Sequence, residues 1–339
     1  MEWKHAAVTA DDWGCLIVKS TVMSGRGALL SGERTRQAVQ KNDAAVHRRR
    51  LWERIRPYVY IGPAFLFLAL FFFYPMLSVF VLSFFDWSLL NLSSRSWYGL
   101  ANYRELLADP DFAHVVANTA IYTAATVGLG LLLALLLALW LNRPGRRFGM
   151  IQGMLFSPHI ISLVSISILW LWMMDPQYGL LNSVLEAFGI PGLPWLADPA
   201  TALPALILVA LWKGVGYNMI VLIAGLQSIP REIHEAALLD NVSRWRVVWR
   251  ITIPLLSPSL FFLLIMNTIS SFQVFDTISI MTQGGPVNST NMLVYYIYEQ
   301  GMEFFNGGYA AAGSVLLLAA VGLVTLAHFA LLGRRVHYH

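Results

Sequence analysis

The chain has 339 residues, of which 57% are hydrophobic and 12% charged, with a formal net charge of +4 and a single cysteine. A soluble domain carries about 25% charged residues, so this composition excludes an ordinary water-soluble globule and points to lipid as the solvent. The lone Cys15 excludes an internal disulfide and a thiolate metal cluster, and no basic stripe with interleaved aromatics offers a surface for nucleic acid.

Residues 1–55 read as a basic cytoplasmic tail. Met1–Val46 mixes Gly, Ser, Lys and Asp without apolar periodicity, so it is expected to be largely disordered. The stretch Cys15–Val18 is too short for the apolar core of a signal peptide, and Met23 is an alternative start. From residue 56 the composition changes. Crossing a hydrocarbon core of about 30 Å takes roughly 20 apolar residues in a helix, because lipid offers no partner for an unpaired backbone group. Six runs of that kind follow in order: Val59–Phe85, Asn118–Leu141, Phe148–Met174, Leu203–Gln227, Leu256–Met281 and Tyr309–Leu332. The uniformly apolar Leu131–Leu139 rules out the alternation of a barrel strand. The fold class is therefore an all-α integral membrane protein with six transmembrane helices, residues 56–339 forming the membrane domain. Trp87, Trp97, Trp140 and Tyr309 stand near run ends, where an amphipathic ring suits the headgroup layer.

Lys and Arg orient the spans, since cytoplasmic loops carry the positive excess. Eleven precede the first span, two (Arg95, Arg104) follow it, three lie in Asn142–Arg147, none in Asp175–Ala202, four in Ser228–Pro254, none in Thr282–Gly308, and the last segment adds Arg334 and Arg335. High and low counts alternate, so both termini are expected in the cytoplasm.

The loop 228–254 between the fourth and fifth spans is long for a helical bundle. Pro230 suits a first helical turn, and Glu232 and Glu235 follow where the helix dipole favours negative charge, so a short helix should run through about Asp240. Asn241 suits the left-handed conformation that ends a helix. A second helix, Arg244–Arg250, should be closed by Pro254. From the residues alone this helix-turn-helix is equally an interfacial helix lying on lipid and a docking surface for another protein, with Ala236 and Ala237 keeping one side low.

The segment Glu235-Ala236-Ala237-Leu-Leu-Asp240-Asn241, followed by Ile251-Thr-Ile-Pro254, resembles the EAA loop of bacterial ABC importer permeases, with Asn241 where the family prefers Gly and Ile253 where it prefers Leu. The stretches Tyr98–Tyr103, Ala224–Pro230 and Gly284–Thr290 resemble carbohydrate permeases of the maltose and glycerol-3-phosphate type, and the chain is most similar to the first of the two permeases in such systems. That resemblance implies the type I importer permease fold in a bacterial inner membrane. It also implies a second permease as heterodimer partner, two ATPase subunits and an extracytoplasmic substrate-binding protein. It makes the loop a coupling helix in which Glu235, Ala236, Ala237, Asp240 and Asn241 face the ATPase, with Glu235 making an ionic contact and Ala237 packing closely.

No G-x-x-x-x-G-K-[ST] phosphate loop occurs, so ATP and its magnesium are expected on the partner ATPase and no cofactor on this chain. Polar residues inside the spans mark the expected substrate path, since each costs free energy in lipid. Lys213, Tyr217 and Asn218 in the fourth span and Asn267, Ser271, Gln273 and Asp276 in the fifth are the candidates, with Lys213 and Asp276 placed to pair. Amides and hydroxyls suit a sugar, whose hydroxyls each need a donor and an acceptor. A glycerol phosphate or related polyol phosphate is the alternative solute, and an ion-coupled secondary transporter is the alternative of another class. His159 stands apart from any metal-ligand cluster and reads as a packing or hydrogen-bonding residue.

Overall fold

The computed structural model describes Trp52 and residues 55–333; the expected tail, Cys15, Met23, Arg334 and Arg335 lie outside the described residues. Four helices are individually long and apolar enough to cross a membrane: α1 Ile55–Leu82, α3 Pro110–Leu141, α7 Pro199–Gln227 and α13 Gly307–Leu332. Two bent pairs pass the same test when each is taken as one span, which brings the number to six. One is α4 Arg146–Ile160 with α5 Leu163–Met173, followed by the short α6 Leu180–Ala187, and the other is α9 Trp245–Leu255 with α10 Ser257–Phe272. The described residues form two units, one through Tyr74 and one from Pro75 on. The first is the apolar start of α1, with a π turn at Ala69–Phe73. All that follows concerns the second.

Two spans begin earlier than hydropathy predicts, for one local reason. Asp109-Pro110 and Asp198-Pro199 each place an aspartate before a proline, and the carboxylate accepts from the backbone amide two residues on, Asp111 at 2.9 Å and Ala200 at 2.8 Å. Proline in the first turn loses no helical hydrogen bond, and the aspartate satisfies an orphan donor. At 32 residues, α3 is about 48 Å long and extends past the hydrocarbon.

Outside the spans, the chain makes a feature the composition did not announce. Phe85–Ser88 (β1) and Asn91–Trp97 (β2) pair as an antiparallel hairpin, with Phe85 opposite Trp97. Trp87 and Trp97, expected as interfacial anchors, sit on its strands; the Trp87 ring packs so closely on Gly307 that a Cβ there would lie 2.7 Å from it. The next helix, α2 Ala101–Ala108, supplies Asn102, whose amide nitrogen donates to the carbonyls of Ser83 (2.9 Å) and Phe85 (3.0 Å), fastening the hairpin root.

The third span is not the continuous helix Phe148–Met174 that was expected. It breaks at Ile161–Ser162, where Ile161 is extended and Ser162 has ψ 138°, and the chain bends by 100° between its halves. Pro158 has no amide to give to the Met154 carbonyl, and the Ser157 hydroxyl takes that carbonyl instead at 2.9 Å. The fifth span likewise stops at Phe272 and resumes as α11 Asp276–Met281, so the expected run Leu256–Met281 is two helices joined by Gln273–Phe275.

The core of this unit divides in two along α7. One buried cluster gathers Tyr122, Ile166, Trp170, Leu206, Val209, Ile278 and Tyr295, and the other Ala134, Leu141, Met219, Leu222, Leu226, Leu256 and Leu263. Between Val209 and Met219 the large apolar residues of α7 are not fully buried, Ala210 packing against the first cluster and Val215 and Tyr217 against the second. A third cluster joins Leu106, Phe112, Val115, Leu293 and Tyr296, the last two on α12 Leu293–Tyr298.

Beside that third cluster Asp109 does more than cap a helix. Its carboxylate accepts from the Tyr296 hydroxyl at 2.7 Å and the Tyr309 hydroxyl at 3.1 Å. Partial burial alone would raise its pKa; the bonds from Tyr296, the Asp111 amide and Tyr309 outweigh this and hold the carboxyl below its usual range. A folded-state pKa below the unfolded value means stability that is present above the unfolded pKa and lost as pH falls through the folded one. Asp109→Ala should therefore cost about 2 kcal/mol at neutral pH, from a lost cap and two hydroxyls without their acceptor. Thermal unfolding in detergent should show this gap closing as the buffer is taken below about pH 4, the unfolded aspartate range.

Candidate functional site

The middle of α7 faces a cavity of about 490 Å³. All seven residues expected on a substrate path line it: Lys213, Tyr217, Asn218, Asn267, Ser271, Gln273 and Asp276. They converge because α3, α7 and α10 pack together while the breaks in the third and fifth spans pull the backbone aside at this level. His159, Tyr122, Thr126 and Ser270 line it too. Their donors and acceptors are partly committed to one another. Asn267 Nδ2 donates to Asn218 Oδ1 at 3.1 Å, and Ser271 Oγ lies 2.8 Å from the Thr268 carbonyl oxygen and 3.0 Å from Thr123 Oγ1. Such bonds hold helices together in lipid and orient the remaining amide and hydroxyl groups toward the cavity.

The expected Lys213–Asp276 pair is not formed. Lys213 Nζ donates instead to the carbonyls of Ile161 (2.7 Å), Pro158 (3.3 Å) and His159 (3.4 Å), at the open end of α4. A helix end carries unsatisfied carbonyls and a negative partial charge, so the break offers the ammonium a closer partner than the carboxylate does. Asp276 opens α11 at the cavity wall. His159 is a packing residue: its ring stacks on Tyr217 with centroids 4.6 Å apart and planes 14° from parallel. No side chain in the sequence announces these carbonyls; they are available because α4 stops at Ile161.

Of the two glycines flanking Val215, only one is a close approach. A Cβ at Gly216 would run into the Leu155 carbonyl and sit 2.9 Å from Phe156 Cα, whereas Gly214 has open space.

The second candidate site is the loop 228–254. Its first helix, α8 Arg231–Leu239, ends as expected: Asn241 has φ +56°, and the Val242 amide bonds back to the Ala237 carbonyl at 3.2 Å. Glu235, Ala236, Asp240 and Asn241 are exposed. Ala237 is not on that surface; it is 6% exposed and faces the chain's own interior, so Ala236 is the small residue presented outward. The second helix also differs from expectation. Pro254 does not close it at Arg250; a π turn over Val248–Thr252 carries it to Leu255. The wider turn, with the Ile253 amide bonding to the Val248 carbonyl, lets the helix pass a proline that an α turn would exclude. A 65° bend then leads into α10.

Residues 118–338 match the family model described as binding-protein-dependent transport system inner membrane component. The chain is 36% identical over 288 residues to an sn-glycerol-3-phosphate transport system permease protein of Agrobacterium fabrum, covering 84% of this chain and 97% of that one. It is 36% identical over 281 residues to a lactose transport system permease protein of Rhizobium radiobacter, covering 81% and 93%. Among solved structures, a chain of a bacterial alginate ABC transporter, in complex with alginate pentasaccharide-bound periplasmic protein, superposes with a TM-score of 0.73 at 23% identity, over 84% of this chain and 98% of that one; this likeness shows the fold.

Proposed function

Because the chain belongs to the family of binding-protein-dependent transport system inner membrane components, and is thus a multi-pass permease subunit of an ABC importer, we propose that it forms half of a pathway for a neutral sugar. The observation that carries the solute class is the cavity, where amides, hydroxyls and the Asp276 carboxylate face the space and the one lining Lys or Arg, Lys213, is taken up by backbone carbonyls. A phosphate would want free cations with N–H donors to spare. A relative's name, a permease of sn-glycerol-3-phosphate, favours the phosphate as the second reading.

The partners follow from the same reading. A second permease subunit closes the other side of the path, and two ATPases bind ATP with magnesium. A substrate-binding protein delivers the sugar from outside, and both termini lie in the cytoplasm, in keeping with the alternation of Lys and Arg between loops. The exposed row Glu235, Ala236, Asp240 and Asn241 docks on an ATPase, and nucleotide-driven closure there biases the spans between inward-facing and outward-facing states. The test is uptake into proteoliposomes carrying the assembled importer, its binding protein and internal ATP. Labelled lactose should accumulate only with ATP, and sn-glycerol-3-phosphate should not compete. Accumulation that persists without ATP would overturn the importer reading, and competition by the phosphate would overturn the solute class.

A further inference from the structure

An ammonium group has three protons, and Lys213 has three backbone carbonyls around it: Ile161 at 2.7 Å, Pro158 at 3.3 Å and His159 at 3.4 Å. Its donor capacity is fully used within the chain. In an unbroken helix the Pro158 and His159 carbonyls would accept from amides one turn further on; the chain departs at Ile161 with ψ 143°, so they are left as the open end of α4. Two further contacts tie that end to the same stripe of α7. Tyr217 stacks on His159, and Gly216 admits the Leu155–Phe156 backbone. Positions 213, 216 and 217 lie on one helical face and grip the last turn of α4. Beyond the break, α5 packs on α11, and its Trp170 ring, in the cluster that also holds Leu206 and Val209, meets Trp212 of α7 edge-on with centroids 5.5 Å apart. The two halves of the third span are therefore seated on successive stretches of α7, and the Lys213 ammonium sits at the joint between them.

We infer that Lys213 is a positioning residue: the cation that closes the open end of α4 against α7, sets the angle of the third span and so the width of the cavity, and makes no bond to the transported solute. The inference deepens the importer reading of this cavity and rests on it. It also explains how a span can carry a full charge without a carboxylate partner, because a helix C-terminus supplies the compensating partial charge.

The test is a distance across the joint. Spin labels at Met154→Cys on α4 and Trp172→Cys on α5, two exposed positions, in a Cys15→Ser background, report the angle in membranes holding the assembled importer without any solute. The unsubstituted Lys213 protein should give one narrow distance distribution, unchanged by saturating inorganic phosphate. Lys213→Met should broaden it roughly twofold, since nothing then opposes reorientation of the free carbonyl end. Lys213→Arg, which keeps a cation with N–H donors, should restore the narrow distribution. If Lys213→Met does not accumulate in the membrane, Lys213→Gln takes its place, with two donors and no charge, and the same broadening is expected. A distribution that is unaltered in the uncharged variant, or that shifts with phosphate in the unsubstituted protein, would overturn the inference and return Lys213 to the solute. Loss of ATP dependence in uptake would strike the importer reading and leave the distance result standing.

Discussion

Gly216→Ala should remove most of the folded subunit from the membrane, while Gly214→Ala, two residues away on the same helix, should leave its yield unchanged. The reason lies in what a methyl group would meet. At Gly216 it meets the Leu155 carbonyl and Phe156 Cα, backbone atoms of α4 that no rotamer change can move. Either α4 is pushed off α7, breaking the Lys213 and Tyr217–His159 contacts with it, or the strain is kept. Overpacking against backbone costs about 3 kcal/mol or more, a large share of the roughly 5–15 kcal/mol that holds a domain folded. At Gly214 nothing lies within reach, and alanine there gains about 1 kcal/mol of helix propensity. Monodispersity and melting temperature in detergent read both variants side by side. Equal yields would show that α4 and α7 are not packed at Gly216 in the membrane.

Glu235→Lys should act in the opposite way, abolishing uptake with no effect on the fold. The side chain is exposed, so its substitution should change stability by no more than about 0.5 kcal/mol. A charge reversal at a docking surface turns an attraction into a repulsion and leaves a buried charge unpaired, which costs several kcal/mol, or at least a hundredfold in association. ATPase subunits should no longer copurify with the variant. ATP-driven uptake should fall to background, although the permease remains in the membrane. Normal uptake by this variant would remove the coupling role from the loop. Ala236→Trp, on the same exposed face, should fail likewise, whereas Ala237→Trp should fail earlier, at folding, because Ala237 is buried in the chain itself.

Hydropathy located all six spans because length and apolarity are what lipid demands. That the seven polar candidates gather around one cavity was legible for the complementary reason: a polar group in a span needs a partner, and partners gather. Asn241 showed its left-handed φ in advance, since few other residue types take that conformation readily. Direction is what hydropathy does not carry. The third span is apolar on both sides of Ile161–Ser162, and an apolar average is blind to a 100° turn between two apolar halves. In the fifth span neither glycine nor proline marks the break at Gln273–Phe275. The destination of Lys213 was missed for a related reason: its partners are main-chain carbonyls, which every residue has and which become available only where a helix stops. The outward face of α8 was assigned from motif order, and the helix rotation that turns Ala237 inward depends on packing not written in the motif.

Toward its two ends α7 is held by the two core clusters, and between them two of the residues that line the cavity, Lys213 and Tyr217, also hold α4. Wall and scaffold are one set of side chains at this level. A substitution at either position alters the shape of the cavity and the seating of α4 together, so the size of the space and the angle of the third span are not tuned independently from α7.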